Sequence, residues 1–320
     1  LEAWHTEKLS EEFTSEKSVD DVTSYIKYMD LEDSLFNQLD QNVYAGTETG
    51  PEQMLNRYSD GSAADPRGLK PNWNRSFELR GNGAGGVLLL HGMSDSPYSL
   101  RALGEALNQG GYHVIGLRLP GHGTAPSGLK YVNWQDMAAA ASLAMEHLYL
   151  EMGSAKGTLH IVGYSTGASL ALDFALKALE GKYASVPDSL VLISPAIRVH
   201  GAARLAGFKD GLSVLPGLEH LAWLTVMDEF DPYKYNSFAT NAGSQVHRVT
   251  IDVDRRIRKL ASQPMLAAAF PPILVLKSTV DSTVTTDAVV DNLLNRLPAD
   301  RNELVLFDIN RQAAIKSTLL

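Results

Sequence analysis

Gly163-Tyr164-Ser165-Thr166-Gly167 is the segment of this chain best suited to chemistry. It follows the apolar run 159–162 directly and leads straight into a helical pattern over 168–179. A serine on a sharp strand-to-helix turn projects its Oγ from the carboxyl edge of a sheet. Glycine at the two flanking positions is then a steric need, because side chains there would collide with the adjoining strand and helix. Such a serine is placed for nucleophilic attack on a carbonyl carbon. A second segment, His91-Gly92-Met93-Ser94-Asp95-Ser96-Pro97, follows the apolar run 86–90. The backbone amide of Met93, with that of Thr166 just after the serine, supplies two donors where negative charge would develop on a substrate carbonyl oxygen. His91 precedes this pair in the chain and reads as a brace hydrogen-bonded to backbone rather than as a base.

Composition limits what else the chain can be. Its 320 residues are 44% hydrophobic and 20% charged, enough for a full core and unlike a disordered chain. A formal charge of -9 with no dense Lys/Arg cluster argues against a nucleic-acid partner. Zero Cys excludes disulfides, thiolate metal sites and a cysteine nucleophile, and it leaves localisation open between cytoplasm and cell envelope. There is no apolar run of membrane-spanning length, no paired His at metal spacing, no Walker sequence and no EF-hand loop, so no metal and no cofactor are expected. Gly81-Asn82-Gly83-Ala84-Gly85-Gly86 satisfies G-x-G-x-x-G but runs from strand to strand, and the expectation is a β-hairpin turn. Asn74-Arg75-Ser76 fits a glycosylation sequon, a pattern common by chance.

Short apolar runs at 76–80, 86–90, 113–116, 159–162, 190–193, 273–277 and 303–307 alternate with helical patterns beginning near Ser99, Trp134, Thr166 and Thr286. This alternation predicts an α/β fold, a mostly parallel central sheet with helices on both faces. The interval 198–263 is too long for an ordinary connection and is expected to be an inserted helical cap, leaving 76–197 and 264–320 as the core. Residues 1–75 are expected to form an N-terminal helical and extended segment. Within it, Ser18-Val19-Asp20-Asp21 is expected to cap an amphipathic helix carrying Val22, Tyr25, Ile26, Met29 and Leu31, and 42–73 to wrap the surface as loop.

His91-Gly92 with Ser96-Pro97, then Arg118-Leu119-Pro120-Gly121-His122-Gly123-Thr124, then Gly163-Tyr164-Ser165-Thr166-Gly167, in that order, resemble the α/β-hydrolase superfamily. The likeness runs from about Ser76 to the end. Within the superfamily the chain is similar to the bacterial carboxylesterase and monoacylglycerol lipase group, also labelled serine aminopeptidase-like. The resemblance implies an α/β-hydrolase fold and a triad in chain order Ser, acid, His, with Ser165 as nucleophile. It implies Asp281 as the carboxylate, in the loop after 273–277; Asp287 and Asp291 compete but fall in the following helix. It implies a His soon after the last strand, where this chain has Gln312, and no His follows His247. A glutamine amide cannot accept and return a proton near neutral pH.

Three accounts of the missing base stay open at this level. Gln312 has replaced it, or it lies beyond Leu320, or His122, His220 or His247 supplies it. The resemblance treats His122 as structural. The expected activity is hydrolysis of carboxylic esters, short or medium acyl esters or monoglycerides. The alternatives are a catalytically silent binding protein on the same scaffold and a peptidase or amidase. The expected partner is a small-molecule ester. The 3–5 and 229–238 stretches are similar to a subgroup with an N-terminal membrane anchor, and a chain starting at Leu1 is expected to have lost a signal, anchor or extension.

Overall fold

The computed structural model describes residues 1–152, 157–197, 219–279 and 286–308. Its strands are β1 (Phe77–Leu79), β2 (Gly85–Leu90), β3 (Tyr112–Leu117), β4 (Thr158–Tyr164), β5 (Ser189–Ile193), β6 (Trp223–Thr225), β7 (Phe238–Ala239), β8 (Ile273–Ser278) and β9 (Glu303–Phe307). Its helices include α1 (Ala3–Thr6), α2 (Lys17–Asp20), α3 (Tyr25–Asn42), α4 (Arg101–Gln109), α5 (Gly128–Tyr131), α6 (Trp134–Met152), α7 (Thr166–Leu179), α8 (Thr240–Ala261), α9 (Pro264–Ala268) and α10 (Thr286–Asn292). Seven strands form one sheet in the order β1-β3-β2-β4-β5-β8-β9, all parallel except β1.

Strand periodicity builds the two layers around this sheet. Leu88 and Leu90 of β2, Ile115 and Leu117 of β3, Leu159 and Ile161 of β4, and Leu190 and Leu192 of β5 point into the larger core with α6 and α7. The alternate residues Val87, Leu89, Val114 and Val162 point to the other face, with Leu100 and Leu107 of the α4 region. A central strand covered on both faces must be apolar throughout, and every residue of β2 is buried. Order β3-β2-β4 places the carboxyl ends of β2 and β4 side by side, with Leu90 opposite Gly163.

Three sequence expectations need correction. The glycine run after β1 is not a hairpin turn, because β1 and β2 do not pair with each other; both pair with β3, which lies between them. Asn82 and Ala84 instead donate their amides to Gly111 O at the start of β3. The N-terminal helix starts at Tyr25 and is capped by Ser24, whose Oγ accepts from Lys27 N at 3.3 Å, while Lys17–Asp20 is a separate turn. The described part of the 198–263 interval also contains more than helix: a 3-10 turn at Glu219–Ala222 and the antiparallel pair β6/β7 precede α8. Val249, Val253, Ile257 and Leu260 of α8 join the main core, whereas Ala222, Trp223, Tyr235 and Ala239 form a smaller cluster against Leu129 and Met93.

Residues 1–75 belong to the same packed body. Phe13, Tyr25 and Tyr28 enter the main core, and Trp4, Phe36, Leu39, Val43, Tyr44 and Tyr58 close a second cluster on Ala125. No helix among the described residues is long and apolar enough to cross a membrane.

Candidate active site

Ser165 stands between β4 and α7 with φ +52° and ψ -113°, a left-handed conformation that L-residues avoid unless their surroundings enforce it. The enforcing contacts are steric. A Cβ at Gly163 would lie 2.5 Å from Ala168 Cα and N, and one at Gly167 would fall on the carbonyl oxygen of Leu90. Ser165 N donates to Ile193 O at 2.9 Å, tying the turn to β5. The serine itself is only partly buried.

The segment after β2 lies against this turn. Asp95 N donates to Gly92 O at 3.2 Å, closing a tight turn in which Ser94 has φ +67°. Tyr235 N holds Ser94 O at 2.9 Å. The Met93 amide at the turn and the Thr166 amide in the first turn of α7 have no backbone acceptor among the described residues. Ser94, Ser165 and a third serine, Ser194 with φ +42°, are the non-glycine residues with positive φ among those described. All three sit at the carboxyl ends of neighbouring strands, β2, β4 and β5, so backbone strain is gathered at one edge of the sheet.

His91 is the brace the sequence suggests. It is fully buried, its Nδ1 donates to Gly92 O at 2.8 Å, and its Nε2 accepts from Leu119 N at 3.1 Å. Burial, and then the neighbouring His122, hold it neutral by pushing its pKa well below the ordinary value. His122 is also buried, donates from Nδ1 to Pro120 O at 2.9 Å, and is pushed down to about 4 by burial. His220 is exposed on its 3-10 turn, and the Nδ1 of His247 on α8 is buried without a partner among the described residues. The other described histidines are engaged elsewhere: His5 with Ser237, His113 and His147 with Glu78, His160 with Ser189 and Thr158. None of these rings is hydrogen-bonded to Ser165. Asp281 and Gln312 lie outside the described residues.

Sequence reading missed the clamp behind the site. Arg118, 1% exposed, bonds Glu32 through Nε at 2.9 Å and Glu12 through both terminal nitrogens at 3.0 and 3.1 Å. Glu12 also accepts from Gly121 N at 2.8 Å, and Ser76 joins Glu32 to the Arg118 amide. Tyr28 Oη donates to Arg118 O at 2.6 Å. Nearby, Arg57 Nη2 donates to Gly123 O at 3.2 Å and Tyr58 Oη to Thr124 O at 2.9 Å. Residues 1–75 thus fix the loop on which His91 and His122 rest. No local signal announces partners 86 and 106 positions apart.

Asp95 is the titratable group of the turn itself. Burial pushes its carboxyl up to about 6, against a lowering pull from Lys234 and with a further raising push from Asp231. No group of three or more His, Cys, Asp or Glu among the described residues is arranged to hold a metal ion.

Known proteins resemble this chain to different extents. A thermostable monoacylglycerol lipase from Bacillus sp. (strain H-257) is 36% identical over 94 residues, 29% of this chain and 36% of the relative, so the chain spans about a third of that protein's length. Among solved structures, one reported for metagenome-derived lipolytic enzymes superposes with a TM-score of 0.58 at 21% identity, covering 77% of this chain and 96% of the other. The monoacylglycerol lipase of Paleococcus ferrophilus gives 0.53 at 19% identity, covering 73% and 88%. A soluble variant of the Saccharomyces cerevisiae monoglyceride lipase gives 0.54 at 16%, covering 73% and 82%. These structures share the fold. The sequence pattern described as the alpha/beta hydrolase family matches residues 87–308, well over half of the chain, and on that match the protein belongs to the alpha/beta hydrolase family.

Proposed function

We propose that this chain is a serine hydrolase of carboxylic esters, with short or medium acyl esters or monoglycerides as its substrate class. The observation that carries the reading is Ser165, held in a left-handed turn by two glycines that cannot bear a Cβ, beside two amides with no backbone acceptor. The partial match to a monoacylglycerol lipase supports the substrate class.

In this reading Ser165 Oγ attacks the ester carbonyl carbon and its proton passes to a base. The amides of Met93 and Thr166 hold the developing oxyanion, and the alcohol leaves with that proton. Water then cleaves the acyl-serine by the same route. Asp281 orients the base. Residues 76–197 and 264–320 form the catalytic core and 198–263 the cap; in support, Trp223 and Tyr235 belong to the cluster against which Met93 packs.

A second reading, a silent binding protein, is favoured by one observation. Gln312 stands where the resemblance implies the base, and no described His is hydrogen-bonded to Ser165. Loss of the base from such a triad costs about a million-fold in turnover and leaves roughly a thousand-fold over water. Initial rates of p-nitrophenyl butyrate hydrolysis for the chain, Ser165→Ala and Gln312→His decide between them. Ser165-dependent turnover in the unaltered chain supports the hydrolase. Activity gained only in Gln312→His supports the silent protein with Gln312 at the base position, and no Ser165-dependent rate in either form defeats the hydrolase reading. Faster cleavage of amino-acid amides than of esters would move the substrate class to a peptidase or amidase.

A further inference from the structure

The turn 194–196 takes no part in the chemistry above, yet it is tied to the nucleophile from both sides. Ser194 N donates to Leu276 O of β8 at 2.8 Å, which fixes the turn to the sheet. Ala196 N donates to Ser165 O at 3.2 Å, a carbonyl that also accepts from Ala168 N of α7 at 3.1 Å. Ala196 O in turn accepts from Ser169 Oγ at 2.5 Å, one helical turn beyond the nucleophile on α7. Ser169 is fully buried, and Ala196 is buried with it. The result is a closed ring of contacts from Ser165 along α7 to Ser169, across to Ala196, and back to Ser165.

The planarity of the peptide bond gives this ring a purpose. Ser165 C=O and Thr166 N–H belong to one rigid plane, so whatever holds the carbonyl sets the direction of the amide. We propose that Ser169 is a positioning residue: by anchoring Ala196 it adds a second hold, beside the Ala168 amide, on the Ser165 carbonyl, and through the shared peptide plane it aims the Thr166 N–H at the substrate oxyanion. The proposal rests on the hydrolase reading for its functional consequence, while the ring itself does not depend on it. A donor aimed at charge that develops only in the transition state acts on kcat and not on substrate affinity. The plain alternative is that Ser169 merely satisfies a buried carbonyl, which would cost stability and nothing else.

The test compares the unaltered chain with Ser169→Ala, Ser169→Thr and Ser59→Ala. Ser59 is a control, a buried serine whose Oγ also donates to a backbone carbonyl, Glu48 O at 2.9 Å, in the N-terminal segment. The first measurement is the rate of covalent labelling by an alkyl fluorophosphonate, with kcat and KM on p-nitrophenyl butyrate where turnover is measurable. Ser169→Ala is expected to label about tenfold more slowly and to lower kcat with KM unchanged. Ser169→Thr should recover most of that loss, and Ser59→Ala should label at the original rate despite a lower Tm. Equal rates for Ser169→Ala and the unaltered chain, or equal slowing in Ser59→Ala, overturn the proposal. The second measurement is hydrogen exchange of the Ala196 amide, which must quicken in Ser169→Ala and not in Ser59→Ala. If no form labels, the hydrolase reading has failed while exchange still judges the ring; an unchanged Ala196 amide then overturns it as well.

Discussion

The edge of the sheet around Ser165 and the clamp around Arg118 are both held rigidly, by opposite means. At the edge the agents are steric: glycines with no room for a Cβ and three serines at positive φ. At the clamp they are electrostatic, a guanidinium out of water between two carboxylates, reinforced by Ser76 and Tyr28. Steric constraint can force strain on one residue and keep its side chain free to react. A charge clamp costs several kcal/mol in desolvation for each ion and is secure only while every partner is present. The two regions should therefore fail differently.

The largest effect belongs to Gly167→Ala. The added methyl would fall on Leu90 O, so the start of α7 must move, and a displacement near 1 Å costs about a hundredfold in a positioned reaction. Fluorophosphonate labelling of the folded fraction should drop by that factor or more. Arg118→Met comes next and should reverse the pattern. It strands Glu12 and Glu32 in or beside the core and should cost about 3–5 kcal/mol in urea unfolding. The folded fraction should still label at Ser165, and a labelling loss as large as that of Gly167→Ala would erase the distinction between the regions.

Much of this comparison is legible in the sequence on one side only. Glycine and serine at fixed spacing between a strand and a helix are local, and β9 at Glu303–Phe307 and the start of α7 at Thr166 fall where the residue pattern puts them. Sheet order is not local, so the glycines after β1 read as a hairpin when β3 lies between the strands. Arg118 meets Glu12 and Glu32 only through the tertiary fold, and Ser18 offered the same capping chemistry as Ser24. Positive φ at Ser94 and Ser194 has no residue signature at all, since neither is glycine.

The pH dependence of stability sharpens the contrast with a smaller effect. His122, ordinarily near 6.5 and pushed down to about 4, is neutral in the fold, whereas the unfolded chain takes up a proton there below about 6.5. The unfolded state then binds more protons, and this contribution is lost as pH falls from 6.5 through about 4. Asp95 has the reverse sign. Raised from 3.8 to about 6, it keeps its proton in the fold after the unfolded chain has released it, so its contribution is present below 3.8 and lost as pH rises through about 6. Asp95→Asn should therefore raise Tm relative to the unaltered chain at pH 7, with the gain shrinking towards pH 4. A gain independent of pH would remove Asp95 as its source. Ser24→Ala is the smallest change, about 1 kcal/mol from the lost cap of α3, with labelling at Ser165 unaltered.

The most direct test of the central claim is intact-mass analysis of the chain after exposure to a fluorophosphonate, beside Ser165→Ala. An activated nucleophile at the strained turn predicts one adduct per chain, mapped to Ser165 and absent from the variant. An unmodified chain, or an adduct that persists in Ser165→Ala, would contradict it.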